Sequence, residues 1–363
     1  MNEIPKIYQY DDLGKVVTRI RDDLNNLECV LLFAHNGTGK TRLSMEFKEE
    51  AKRRDGRNTL YFNAFTEDLF WWDNDLDGDA ERHLQINSDS AFFDGFKELA
   101  LEEKIFAFLE KYASFDFRID YDDWKVVFSR NGEENIKVSR GEENIFIWCM
   151  FLAIYELAID GHESYNWVKN VYIDDPISSL DDNNAIAVAV DLAQLVESGK
   201  DNISAVVSTH HTLFHNVFWN EIKNRGLRRK TYFYHRPQDT TTYTLRWTDD
   251  TPFFNHVAQL AELKVAVETD NIYTYHFNVL RSIMEKTAVF FGQDKFQICI
   301  QGIENETLLE RAVQLMSHGK YSIYDPTLMG EDNKKLFKDL VANFLKRYEF
   351  ALPDILKPEE AEA

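Results

Sequence analysis

Apolar and polar positions up to about residue 250 predict strands and helices that follow one another. Cys29–Ala34 is a continuous apolar run, as expected of a buried parallel strand, and residues 41–52 after it have the spacing of a helix. Residues 141–159 form a long helical pattern. The remaining predictions are strands at 58–63, 124–128, 135–138, 170–173 and 203–208, and helices at 7–28, 90–115 and 184–197.

The pattern changes near residue 250. Threonines and aromatic residues alternate through 223–247, which predicts strands there. From Phe254 onward the strand signals fade and long helical patterns dominate. We therefore expect an α/β domain over residues 1–250 and a mostly α-helical domain over residues 251–363.

Composition and charge limit the class of protein. The 363 residues carry a net charge of −21, which argues against coating nucleic acid or an anionic membrane by bulk charge but leaves room for a local basic site. A hydrophobic content of 44% excludes disorder as the main state. Cys29, Cys149 and Cys299 are scattered singly, which favours a reducing compartment. The N-terminus has no apolar signal segment, and Ile145–Tyr155 is too short to span a bilayer, so we expect a cytoplasmic protein with no membrane partner.

A glycine-rich loop lies between the strand at Cys29–Ala34 and the helix after it. The sequence Ala34-His-Asn-Gly-Thr-Gly-Lys-Thr41 has the spacing of a P-loop, with Ala34 where the first glycine is usual. Its backbone N–H groups would face phosphate oxygens, its lysine would neutralise the β- and γ-phosphates, and the hydroxyl after it would bind Mg²⁺. The predicted nucleotide contacts are Ala34, Asn36, Gly37, Thr38, Gly39, Lys40 and Thr41.

A second element, Val171-Tyr-Ile-Asp-Asp-Pro176, is an apolar strand that ends in two acids. This arrangement is typical of a Walker B motif, in which Asp174 would hold Mg²⁺ and Asp175 would polarise the attacking water. Most P-loop proteins of this kind carry glutamate at the second position. The shorter carboxylate reaches less far, so we expect slow hydrolysis.

Three further segments resemble the ABC-type ATPases in the order found in that family: 138–143 (signature motif), 178–181 (D-loop) and 206–210 (switch histidine). Arg140 stands where the signature motif usually has glycine. The resemblance implies an ABC-type P-loop ATPase head with a helical insertion, followed by the mostly α-helical C-terminal domain. It also implies a nucleotide-sandwich homodimer or higher homo-oligomer. The residues it assigns are Ser139, Arg140, Gly141, Ser179 and Asp181 for nucleotide binding, and His210 with Asp175 for hydrolysis.

Longer stretches resemble the PrrC-type anticodon nucleases, at residues 34–44, 61–76, 139–148, 172–183 and 275–288. The resemblance implies a tRNA endoribonuclease, held latent by a type I restriction-modification complex and released during phage infection. It implies cleavage of tRNA-Lys on the 5′ side of the wobble nucleotide. It also implies control by ATP or GTP with Mg²⁺, and dTTP as a regulatory nucleotide.

The resemblance places the nuclease residues at Arg281, Glu285 and His318. Metal-independent RNA cleavage needs a base for the 2′-hydroxyl, an acid for the leaving 5′-oxygen and a cation for the phosphate. Glu285 and His318 fit the base and the acid in either order, and Arg281 fits the cation. From spacing alone, an Arg–Glu pair four residues apart is more often a surface ion pair, and a single histidine near a glycine is more often a turn residue.

Residues 223–247 carry seven bases against one acid, interleaved with aromatic residues. Such a stretch suits a single-stranded RNA loop, with Arg228, Arg229, Lys230 and Arg236 as contacts. The alternative is a solvated edge of the ATPase sheet. For the whole chain, the alternative function is an anti-phage or DNA-repair ABC ATPase whose residues 251–363 dock a separate effector. A fused Toprim-type nuclease is disfavoured because residues 251–363 contain no Asp-x-Asp pair.

Overall fold

The computed structural model describes residues 7–54, 56–63, 69–74, 82–88, 93, 101–176, 182–236, 242–248, 255–293, 295–302, 306 and 329–348. The chain divides into two compact units, one spanning Lys6–Asp250 and the other containing Thr251–Ala363. The described strands are β1 Ile7–Tyr10, β2 Cys29–Phe33, β3 Thr59–Asn63, β4 Phe70–Asn74, β5 Arg82–Ile86, β6 Asp116–Asp120, β7 Lys125–Arg130, β8 Glu133–Glu134, β9 Asn170–Asp174, β10 Ser204–Thr209, β11 Arg229–His235 and β12 Tyr243–Trp247. The described α-helices are α1 Leu13–Leu24, α2 Lys40–Arg54, α3 Glu102–Leu109, α4 Arg140–Ile159, α5 Asp182–Gly199, α6 Thr212–Asn224, α7 Asn255–Glu268, α8 Thr274–Phe290 and α9 Glu331–Arg347.

A seven-stranded sheet forms the centre of the first unit, in the order β1-β12-β11-β2-β10-β9-β3. The five strands from β11 to β3 are parallel, and β12 and β1 are antiparallel additions at one side. Helices cover both faces. Val30 and Leu32 pack with residues of α1 and α2, whereas Cys29 and Leu31 belong to the core shared with α4, α5 and α6. Burial on both faces explains the unbroken apolar run of β2.

A second sheet, antiparallel and five-stranded, lies between β3 and α4 in the sequence, in the order β4-β5-β7-β6 with β8 on β7. The ABC-type fold class is confirmed, but the insertion expected to be helical contains this sheet as well as α3. The strand expected at 135–138 is wrong, because β7 instead turns back through Gly132 into the short β8. The helix expected over 7–28 begins only at Leu13, because Ile7–Tyr10 pairs with β12.

Helix α4 is buried on nearly every side between the two sheets. Trp148 and Phe151 contact Phe62 of β3, with ring centroids 5.1 and 4.8 Å apart. On the other side, Phe146 contacts Phe117 of β6 at 5.0 Å and Phe128 of β7 at 5.1 Å. A helix that is apolar all round is expected in such a position, since it has no solvent face.

The described part of the second unit is mostly α-helical, as expected. Helices α7, α8 and α9 and a short 3₁₀ helix at Phe296–Cys299 enclose a separate apolar core. Phe277 of α8 and Phe337 of α9 lie at its centre, with ring centroids 4.8 Å apart. In the described parts of both units, no helix is long and apolar enough to cross a membrane.

We predict that Phe146→Ala destabilises the protein by about 3–5 kcal/mol, because it leaves a cavity between α4 and the second sheet. Phe106→Ala is the matched control, since Phe106 is 44% exposed and its loss is expected to change the free energy of unfolding by about 0.5 kcal/mol or less. Denaturant unfolding of both variants measures the difference. Equal stability of the two variants would contradict the placement of α4 in the core.

Candidate nucleotide site and candidate nuclease pair

The loop between β2 and α2 has the backbone geometry of a phosphate-binding loop. Gly37 and Gly39 have φ angles of +83° and +92°, in the left-handed region that favours glycine. The Thr38 hydroxyl donates to the His35 carbonyl at 2.7 Å, and the Ala34 N–H donates to the Thr209 carbonyl of β10 at 3.0 Å. Ala34 occupies the position where glycine is usual in a P-loop. Its side chain is fully buried just after β2.

Lys40, the first residue of α2, reaches back into this loop. Its Nζ donates to the Ala34 carbonyl and to Asn36 Oδ1, both at 3.3 Å, and forms an ion pair with Asp175 Oδ2 at 3.2 Å. The side chain is only 7% exposed. The ammonium group thus lies inside the curve of the loop, where it is placed to neutralise a bound phosphate.

Asp174, at the end of β9, is buried and surrounded by hydroxyl groups. Its carboxylate accepts hydrogen bonds from Ser208 at 2.6 Å and from Ser44 at 3.2 Å, and the Thr41 hydroxyl is near enough to lower the pKa of Asp174. Burial raises the pKa of Asp174 above its ordinary value, despite these hydrogen bonds. Thr41 and Asp174, the two predicted Mg²⁺ ligands, are therefore adjacent and offer the oxygen atoms that a hard cation prefers.

Ser44 and Ser208 were not predicted from the sequence. Ser44 follows Thr41 by three residues and so lies on the same side of α2. Ser208 lies opposite Asp174 in the parallel pairing of β10 with β9. The spacing on α2 was a usable signal for Ser44, but Ser208 requires the strand register.

Asp175 and His210, predicted as the hydrolytic pair, are in contact. Asp175 Oδ1 lies 2.8 Å from His210 Nδ1 and accepts the His210 backbone N–H at 2.9 Å. Burial alone would raise the pKa of Asp175, but the His210 hydrogen bond and the charge of Lys40 outweigh it and hold this pKa below its ordinary value. Asp175 has a φ angle of +49°, a region that aspartate tolerates better than most residues. The carboxylate is thus fixed between a cation and an imidazole.

The signature segment forms the start of α4. Ser139 caps the helix in a capping box with Glu142, whose carboxylate also binds Arg130. Ser139 and Arg140 are exposed, and Gly141 is half-buried. The D-loop residues Ser179 and Asp181 lie outside the described residues.

In the second unit, Arg281 and Glu285 lie one turn apart on α8, with 2.7 Å between Arg281 Nε and Glu285 Oε1. The Arg281 guanidinium also lies 5.4 Å from the centroid of the Phe296 ring. Glu285 is about half exposed, whereas Arg281 is mostly buried. The structure therefore places two of the three predicted nuclease residues together, and His318 lies outside the described residues.

The basic stretch at 223–247 differs from its prediction. The stretch was expected to offer aromatic rings for stacking on RNA, but Tyr232 and Tyr234 of β11 are buried in the sheet core and offer no such face. The alternative of a sheet edge is also wrong, because β11 lies between β12 and β2. The sequence alone does not reveal this position, since a basic strand reads as exposed.

Several of the basic residues in this stretch form ion pairs with acids elsewhere in the chain. Arg228 Nε lies 2.8 Å from Glu28, and Lys230 Nζ lies 2.9 Å from Asp23. Of the predicted RNA contacts, Arg228 is the most open, with a side chain 66% exposed. Arg229 lies 5.5 Å from the Trp219 ring centroid and Arg236 lies 5.3 Å from that of Tyr243. RNA binding by these four residues stays a prediction.

The parallel sheet, the glycine loop with its lysine, and the acid pair beside His210 define a P-loop NTPase head of the ABC type. The family model described as "AAA domain" matches residues 98–345. An Escherichia coli protein named "Anticodon nuclease" is 33% identical over 352 residues, covering 86% of this chain and 88% of that protein. The chain belongs to the anticodon nuclease family, which confirms the resemblance found in the sequence.

Two solved structures are more distant. One is an Smc head bound to the C-winged helix domain of ScpA, with 11% identity, 62% of this chain and 91% of that chain covered, and a TM-score of 0.34. The other is the SMC head domain from Thermotoga maritima, with 12% identity, 61% and 90% coverage, and a TM-score of 0.32. At these values the two likenesses carry no argument about this chain.

We predict that Lys40→Ala weakens nucleotide binding by roughly ten- to a hundredfold, because it removes a charge-assisted hydrogen bond to phosphate. Lys52→Ala, an exposed lysine on the same helix, is the control and is expected to bind as the unsubstituted protein does. Fluorescence titration with a labelled nucleotide measures both. Unchanged affinity in Lys40→Ala would rule out the phosphate role.

We predict that Asp175→Asn lowers nucleotide hydrolysis by about a hundredfold or more while nucleotide affinity changes only a few-fold, because the amide cannot act as a base. Asparagine tolerates the left-handed backbone at this position, so the fold is expected to be retained. Phosphate release and nucleotide titration measure the two quantities. Hydrolysis at the original rate would show that another group activates the water.

Proposed function

We propose that this protein is a nucleotide-regulated anticodon nuclease that cuts tRNA-Lys on the 5′ side of the wobble nucleotide. The observation that carries the proposal is the Arg281–Glu285 pair on α8, in a chain that belongs to the anticodon nuclease family. Both residues fall on the positions that the resemblance assigned to cleavage. A half-exposed carboxylate held by a mostly buried arginine is accessible to a substrate hydroxyl group and fixed in direction.

The proposed reaction needs no metal ion. One of Glu285 and His318 takes the proton of the 2′-hydroxyl, and the 2′-oxygen attacks the adjacent phosphorus. The bond from phosphorus to the 5′-oxygen breaks, and the other residue gives that oxygen a proton. The products are a 2′,3′-cyclic phosphate and a 5′-hydroxyl. Arg281 stabilises the additional negative charge on the phosphate in the transition state.

The NTPase head is proposed to regulate this reaction. Thr41 and Asp174 would hold Mg²⁺ with ATP or GTP, and the cation would neutralise charge on the phosphate oxygens. Two heads would close on two nucleotides, with Ser139 and Arg140 of one copy facing the P-loop of the other. dTTP would serve as a regulatory nucleotide. The exposure of Ser139 and Arg140 at the start of α4 supports this arrangement.

Latency is proposed to depend on a type I restriction-modification complex in the cytoplasm, with release during phage infection. The net charge of −21 supports a latent toxin rather than an indiscriminate one, since bulk charge repels RNA. Cleavage then requires a shaped local site. In this proposal, closure of two heads on nucleotide controls activity, and the second unit contributes the residues that cleave RNA.

The decisive experiment is sequencing of tRNA ends after expression of the full chain. We expect breaks in one anticodon loop, with cyclic phosphate at the 3′ end of the upstream fragment. His318→Ala and Glu285→Gln are expected to abolish these breaks and the cellular toxicity while nucleotide hydrolysis persists, because the groups that move protons lie outside the head. Toxicity without tRNA breaks would favour the alternative ATPase with a separate effector.

A further inference from the structure

The end of α8 carries an unusual run of exposed apolar side chains. Val289, Phe290 and Phe291 are 68%, 84% and 57% exposed. They account for three of the seven large apolar side chains that are exposed in the described part of the chain. Exposed apolar residues are ordinary when single, but a contiguous set marks a surface that binds something.

These side chains project from a fixed helix end. Gly292 has a φ angle of +72°, its N–H donates to the Val289 carbonyl at 2.9 Å, and the Gln293 N–H donates to the Ala288 carbonyl at 2.9 Å. This is the Schellman arrangement, which satisfies the last carbonyl groups of the helix. The two phenylalanines are therefore held in place by the backbone.

The two rings continue inward as a series of aromatic contacts. Phe290 lies edge-on to Phe291 with centroids 5.4 Å apart, and Phe291 is stacked on Tyr348 at 5.7 Å. Tyr348 contacts the buried Phe344 at 5.1 Å. Phe291 is thus supported from below, whereas Phe290 at the outer end is open to solvent.

The open ring lies at the C-terminal end of the helix that carries the proposed cleavage pair. Phe290 follows Glu285 by five residues, about 7.5 Å along the helix axis and roughly 140° around it, so a strand that contacts both residues must pass around the end of α8. Lys286 lies one turn before Phe290 on the same side of α8 and is exposed, and Lys295 just beyond the helix is exposed as well. An open aromatic face with cations beside it suits a nucleic-acid strand better than an apolar protein surface.

We propose that Phe290, supported by Phe291, is a stacking platform for an unpaired base of the substrate loop, a few nucleotides from the scissile phosphate. The inference rests on the proposed nuclease function and assigns the platform to α8 rather than to the 223–247 stretch. A base stacked there would hold the RNA loop at the end of the helix that carries Arg281 and Glu285. Phe290 acts as a positioning residue, since it takes no part in bond making or breaking.

The test uses the full chain, nucleotide and an anticodon stem–loop RNA. Phe290→Ala is expected to lower kcat/KM for cleavage by roughly ten- to a hundredfold, mainly through KM, with nucleotide hydrolysis unchanged. Phe290→Trp, which keeps a stacking face, is expected to retain cleavage. Phe290→Leu, which keeps an apolar side chain without a ring, is expected to behave as Phe290→Ala does. Full activity of the leucine variant would overturn the stacking role.

Two controls separate stacking from a protein interface. Val289→Ala removes a neighbouring apolar side chain and is expected to leave cleavage and oligomeric state unchanged. A loss equal to that of Phe290→Ala, or a change in oligomeric state by light scattering, would instead identify a surface that binds another protein or a second copy. Thermal unfolding of each variant confirms that the fold is intact.

A set of RNAs with one abasic loop position each identifies the stacked base. At one loop position, removing the base is expected to lower kcat/KM of the unsubstituted protein by the same factor as Phe290→Ala does on the intact RNA. Removing that base is expected to lower kcat/KM of Phe290→Ala no further. Additive losses at every position would contradict the inference. If the unsubstituted protein cleaves no anticodon loop, the proposed function itself fails, whereas cleavage indifferent to Phe290 overturns only the platform.

Discussion

The carboxylate of Asp175 connects the parts of the nucleotide site. One oxygen accepts from His210 after β10, and the other contacts Lys40 after β2, while the residue itself follows β9. The carboxyl ends of three parallel strands are thereby connected, and ligands of open α/β sheets bind at these strand ends. When no nucleotide is bound, this carboxylate balances the positive charge of Lys40.

The sequence predicts most of this site because its motifs are local. A glycine loop between an apolar strand and a helix, and two acids after a second apolar strand, each specify their own geometry. The contact of Asp174 with Ser208 depends on how β9 and β10 pair, and single-chain spacing does not give strand register. Of the second sheet, the sequence predicts only the strand at 124–128, which is β7, because the short antiparallel strands gain stability from each other and from α4.

Charge patterning was a weaker guide than hydrophobic patterning. The basic stretch suggested a surface for RNA, but Lys230 and Arg228 meet acids that lie about two hundred residues earlier in the chain. Basic residues concentrated in one segment can thus pair with acids from a distant segment. They can also belong to a buried strand, as the buried tyrosines of β11 show. Conversely, the exposed rings at the end of α8 look in the sequence like the last turn of a core helix.

The length and burial of α4 have a mechanical consequence. The helix begins at the signature segment and extends for 20 residues, about 30 Å, between the two sheets. Because a helix packed on all sides has little room to bend, Ser139 at its start is rigidly connected to its far end. There Lys104 of α3 contacts Glu156 and Asp160. The signature segment and the inserted helix α3 are therefore connected through one rigid element of the fold.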